Sequence, residues 1–123
     1  NGKQLILVED LIEKDNKLHP VQEAMVKFHG SQCGFCTPGF VMSLFAMYKN
    51  FSKFNDETID ETLSGNLCRC TGYRPIIDAA KSLNYKSDKD HFKKDEKKII
   101  NLLKKIRDKE IQISYNLNSL YSF

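Results

Sequence analysis

Two tight cysteine pairs, Cys33-Gly34-Phe35-Cys36 and Cys68-Arg69-Cys70, limit what this 123-residue chain can fold into more than any other feature. Four converging thiolates make a soft-metal site, so the fold must carry two well-separated segments to one place. Gly34 takes backbone angles closed to other residues, which lets a tight loop turn two sulfurs inward with its amides facing the metal. Disulfides fit poorly, because cysteines separated by a single residue make bad partners and nothing in the chain points to secretion. Spacing alone leaves two metals open. Zinc prefers wider spacing within a pair but tolerates one intervening residue in some sites. A 2Fe-2S cluster needs two protein sulfurs on each iron and so suits a division into pairs.

The segments around the pairs predict a mainly α fold. From His19 to Gly30, Val21, Ala24, Met25 and Phe28 share one face, with Pro20 at the first helical position and Gly30 as a C-terminal cap. A second helix starts at Pro38 with Thr37 as N-cap and presents Val41, Leu44, Phe45 and Tyr48. A third covers Glu57 to Leu63, capped by Asn55 or Asp56 and ended by Gly65. The fourth begins near Pro75 and buries Ile76, Ile77, Ala79, Ala80 and Leu83. Short amphipathic helices joined by short loops predict a four-helix up-down bundle. In that topology the first and third loops emerge at the same end, and those loops hold all four cysteines.

Outside the bundle, Gln4 to Asp10 has the residue types of a short strand, which needs a sheet to pair with. Beyond Asn84 the chain turns Lys-, Asp- and Ser-rich. Ile99, Ile100, Leu102, Leu103 and Ile106 there predict a separate exposed helix, and Ile111 to Tyr115 has the pattern to join a sheet elsewhere. The expected division is 1–14 as the end of another domain, 15–84 as the helical metal-binding domain and 85–123 as a charged linker. The start at Asn1 and the apolar ending suggest a fragment of something longer.

The hydrophobic content of 41% supports one modest core. No apolar run reaches the roughly 20 residues needed to span a bilayer, and no secretion signal is recognisable, so the expectation is a soluble, cytoplasmic protein without a membrane partner. The net charge of +3 arises from interspersed lysines and carboxylates, and the aromatics fall at helical spacing, which argues against nucleic acid. There is no nucleophile triad or phosphate loop, so no residue is predicted to be catalytic. His19 and His29 sit at helix ends, where terminal hydrogen bonding is the common role. Arg69, between two cysteines, either favours a reduced cluster or is an ordinary surface arginine.

The strings Gly30-Ser-Gln-Cys-Gly-Phe-Cys-Thr-Pro-Gly39 and Gly65-Asn-Leu-Cys-Arg-Cys-Thr-Gly-Tyr-Arg-Pro75 resemble the two signature loops of the second iron-sulfur domain in the molybdenum hydroxylase, or xanthine oxidase, family. The resemblance runs from about His19 to Leu83, and Gly2 to Leu11 resembles the last strand of that family's plant-type ferredoxin domain. Within the family, His19 to Met25 and Arg74 to Ala80 are most similar to the small subunit of bacterial xanthine dehydrogenases. The tail is similar to the linker before a fused flavin domain.

This resemblance implies that Cys33, Cys36, Cys68 and Cys70 all ligate one 2Fe-2S cluster. It places Gln32 and Cys70 against the pterin of a molybdopterin held by a separate large subunit, in a hetero-oligomer. Electrons from purine oxidation would pass through this cluster, then a second 2Fe-2S cluster, then FAD, and finally to NAD. The chain departs from the family pattern in lacking the four ferredoxin-type cysteines and the FAD domain.

Overall fold

The computed structural model describes residues 2–83 and 90–107. The chain divides into two compact units, one of Leu5–Asp95 and one joining Asn1–Gln4 with Glu96–Phe123. A 3-10 turn, η1 (Val8–Leu11), is followed by helices α1 (Pro20–Lys27), α2 (Thr37–Asn50), α3 (Asp56–Leu63), α4 (Arg74–Ser82) and α5 (His91–Lys105).

The four bundle helices are those the sequence predicts. α1 packs on α2 and α4, and α3 packs on the same two helices, the ring of neighbours that an up-down bundle requires. Between them lie fully buried Val21, Phe40, Leu44 and Ile76, with Met47 almost as enclosed.

The helix ends depart from expectation in instructive ways. At the end of α1 the left-handed position falls to His29, at φ 55°, and not to Gly30. The His29 amide donates to Val26 O at 3.1 Å and the Gly30 amide to Met25 O at 2.8 Å, so the last carbonyls are satisfied all the same. Thr37 is the first residue of α2, not its cap. Cys36 already has helical backbone angles and its carbonyl accepts the Phe40 amide at 3.2 Å, so the helix begins one residue early. The Thr37 hydroxyl instead pairs with Ser31 Oγ at 2.7 Å. Asn55 caps α3, accepting the Thr58 amide at 2.8 Å.

The N-terminal strand is corrected outright. No strand occurs among the described residues; residues 3–7 are irregular and Val8–Leu11 forms the 3-10 turn. A lone strand has no ladder to satisfy its backbone, and here the segment folds back on the helices. Leu11 is fully buried, and Gln22 of α1 donates to Val8 O at 3.1 Å.

At the end of the bundle away from the cysteines, His19 caps α1. Its Nδ1 accepts the Val21 amide at 3.2 Å, and Gln22 Oε1 accepts the His19 amide at 3.0 Å. Asp90 caps α5 by accepting the Lys93 amide at 2.8 Å, and it also receives Lys49 from the last turn of α2 at 2.8 and 3.1 Å. α5 has no buried residue, as its predicted exposure requires. The Ile111 to Tyr115 segment lies outside the described residues. Among those described, no helix is long and apolar enough to cross a membrane.

Candidate metal centre

The loop between α1 and α2 and the loop between α3 and α4 meet at one end of the bundle, as the topology predicts. Gly34, at φ +85°, reverses the first loop between its two cysteines. Gly39, in the first turn of α2, admits the second loop: a Cβ there would lie 3.0 Å from Asn66 Oδ1. Asn66 in turn donates to Ser43 Oγ at 2.8 Å and pins that loop to α2.

The cysteines are all free thiols, and they pair across the loops rather than within them. Cys70 Sγ lies 3.4 Å from Cys33 Sγ, and Cys36 and Cys68 are near enough to shift each other's acidity. Sequence spacing suggested one pair per loop; the fold interleaves them. Two iron positions, each taking one sulfur from each loop, would cross-link the loops twice. Among the described residues, no three His, Cys, Asp or Glu side chains gather as ligands of a single ion.

Their acidities split the same way. The Phe35 amide, with Cys70, lowers the pKa of Cys33, while its thiol neighbour Cys33 raises that of Cys70. Burial raises Cys36. Hydrogen bonds from the Thr71 hydroxyl and amide bring Cys68 down to about 7. Within each pair one thiol is therefore lowered and its partner raised, and thiolate is the metal-binding form. α2 starts directly after Cys36, so its positive end faces the site and favours negative charge there.

Exposure grades across the centre. Cys68 is buried and Cys36 half-buried, while Cys33, Cys70 and Gln32 are exposed. Around them stand two apolar side chains in water, Phe35 at 95% and Leu67 at 82% exposure. Arg69 is exposed as well. Sequence reasoning missed Thr71 and Tyr73: Thr71 Oγ1 lies 3.0 Å from Cys68 Sγ, and the Cys68 amide donates to the Tyr73 hydroxyl at 3.0 Å. Their place beside the cysteines in Cys68-Arg-Cys-Thr-Gly-Tyr73 was the available signal. A 2Fe-2S cluster fits this donor set of four thiols in two pairs with amide and hydroxyl donors around the sulfurs.

The profile of the family described as 2Fe-2S binding domain matches residues 7–81. Aldehyde oxidase 3 of Mus musculus is 52% identical over 82 residues, which are 67% of this chain and 6% of that protein. Xanthine dehydrogenase of Oryza sativa subsp. japonica is 50% identical over 88 residues, 71% of this chain and 6% of its own length. Xanthine dehydrogenase of Blastobotrys adeninivorans is 57% identical over 84 residues, 68% of this chain and again 6% of the relative. The chain thus spans a small part of these relatives. Among solved structures, quinoline 2-oxidoreductase from Pseudomonas putida 86 aligns with a TM-score of 0.54 and 30% identity, over 81% of this chain and 52% of that one. The chain belongs to the 2Fe-2S binding domain family, in the form shared by these oxidoreductases of the molybdenum hydroxylase family.

Proposed function

We propose that this chain is the electron relay of a molybdenum-containing xanthine dehydrogenase, working between a molybdopterin centre in a large partner subunit and a second 2Fe-2S cluster, FAD and NAD. The observation that carries this reading is the pairing of Cys33 with Cys70 and of Cys36 with Cys68 at one open end of the bundle. When bound, a 2Fe-2S cluster takes up and passes on one electron at a time.

The chain's own residues supply the holding and the access. Cys36 and Cys68 anchor the inner side against the core, while Cys33 and Cys70 face outward with Gln32. Gln32 and Cys70 are proposed to meet the pterin, and exposed Phe35 and Leu67 give the partner an apolar rim that keeps water from the gap. Residues 85–123 are proposed to lead toward the FAD domain, and the assembly to be cytoplasmic.

The aldehyde oxidase relative, at 52% identity, favours a second reading in which the partner oxidises aldehydes. Anaerobic mixing separates the two. With the cluster-loaded chain and its molybdopterin subunit, xanthine is expected to bleach the visible absorption, and neither component suffices alone. Bleaching by aldehydes and not by xanthine selects the second reading. A cluster that dithionite bleaches but no substrate reaches through the partner contradicts both.

A further inference from the structure

Cys68, Thr71 and Tyr73 form a closed ring of hydrogen bonds. The Cys68 amide donates to the Tyr73 hydroxyl at 3.0 Å, and the Tyr73 amide donates to Thr71 Oγ1 at 3.2 Å. Thr71 Oγ1 stands 3.0 Å from Cys68 Sγ, and the Thr71 amide points at the same sulfur from 3.5 Å. The direction of the hydroxyl contact follows from what surrounds it. A cysteine sulfur on iron has no proton to give, and the Thr71 oxygen already accepts from Tyr73. The Thr71 hydroxyl proton therefore goes to the sulfur.

Tyr73 adopts φ 67° and ψ −32°, a left-handed conformation that a bulky residue takes only at a cost. The turn at Gly72, φ 67°, brings the Tyr73 amide to Thr71, and the Tyr73 ring reaches back to pack edge-on against Phe40, centroids 6.2 Å apart. Phe40 is fully buried, so the ring is anchored in the core.

We propose that Thr71, held by Tyr73, is a positioning residue that raises the reduction potential of the cluster through its hydrogen bond to Cys68 Sγ. Reduction by one electron adds one negative charge, spread onto the sulfurs, and a donor at Sγ stabilises that charge more than the oxidised state. Cys68 is 7% exposed, so water does not replace the bond when it is removed.

The proposal rests on the electron-relay reading, and the test separates the two. The full chain carrying its cluster is titrated against redox dyes, with visible absorption as readout. At a fixed poise, Thr71→Val is expected to lower the ratio of reduced to oxidised cluster about tenfold, equivalent to 59 mV for one electron. Thr71→Ser, which keeps the hydroxyl, is expected to restore the ratio to within about threefold of wild type. A fully loaded Thr71→Val protein with an unchanged ratio overturns this proposal alone; a wild-type protein that holds no iron-sulfur cluster overturns the relay reading and this proposal with it. Should Thr71→Val fail to load, the wild-type cluster decides. Electron-nuclear double resonance of its reduced form should contain a strongly coupled proton lost after a brief soak in heavy water, as a hydroxyl exchanges, and its absence overturns the proposal.

Discussion

Cys68→Ser is expected to abolish cluster assembly, leaving a colourless protein with little iron or sulfide. Cys68 is the most enclosed of the four thiols, is the one brought down to about 7, and pairs with Cys36 across the loops. A serine hydroxyl stays protonated at neutral pH and is a poor ligand for iron. The substitution also removes the sulfur that Thr71 addresses and leaves Cys36 without its partner, so one of the two cross-links between the loops is lost. Cys70→Ser, on the exposed side, is expected to yield a partly loaded and air-labile cluster. Iron, sulfide and visible absorption of the two variants measure this, and a Cys68→Ser protein with wild-type iron content would refute the pairing.

Asp90→Ala is expected to destabilise the bundle by about 3 kcal/mol and to remove much of its acid sensitivity. The Asp90 side chain is 1% exposed, and it holds Lys49, caps α5 and faces His19 Nε2 at 3.5 Å. His19 Nδ1 is committed to accepting the Val21 amide, so Nε2 carries the proton and turns it toward the carboxylate. Removing Asp90 strips the cap and takes away the carboxylate that faces the buried His19 Nε2. Lys49 is 26% exposed and recovers water, which keeps the cost at the lower end of that for a broken buried pair.

The pH dependence has one sign at both residues. Burial, followed in size by the opposing pull of Asp90, holds His19 below its ordinary 6.5, so below that pH the unfolded chain takes a proton that the fold refuses. Burial alone would raise Asp90, but Lys49, the Lys93 amide and His19 together carry it below its ordinary 3.8. Its contribution is present above that value and is lost as the pH falls through the lower folded value. Stability to denaturant should therefore fall as pH drops below about 6.5 and fall again below about 4 in the wild type. The second step should be missing in Asp90→Ala. A flat profile between pH 7 and 5 would contradict the His19 assignment.

Helical spacing made the bundle legible. Val21, Ala24 and Met25 in α1, Leu44 and Phe45 in α2, and Ile76, Ala79 and Ala80 in α4 are the buried faces that the periodicity picks out. The meeting of the two cysteine loops follows from the same pattern, because an up-down topology leaves those loops no other place to go. Phe40 was missed because it lies in the first turn, beside the cap, where periodicity has no preceding turn to register against. The N-terminal stretch Gln4 to Asp10 reads as a strand from residue type, yet β-propensity measures fit to a sheet that the described residues do not contain.

The details of the centre were less legible. Which sulfur pairs with which depends on how two loops interdigitate, and no one-dimensional spacing records that. Tyr73 reaches Thr71 and Cys68 through consecutive positive-φ residues, Gly72 and Tyr73, and the second is a conformation that its residue type argues against. That the four cysteines come together at one end of the bundle, in contrast, was readable from the topology.

Iron, inorganic sulfide and zinc per chain, measured on freshly purified protein, test the central claim most directly. The account predicts about two irons and two sulfides with no zinc, the content of one 2Fe-2S cluster on four cysteines. About one zinc and no sulfide would contradict it and make the four thiols a structural site.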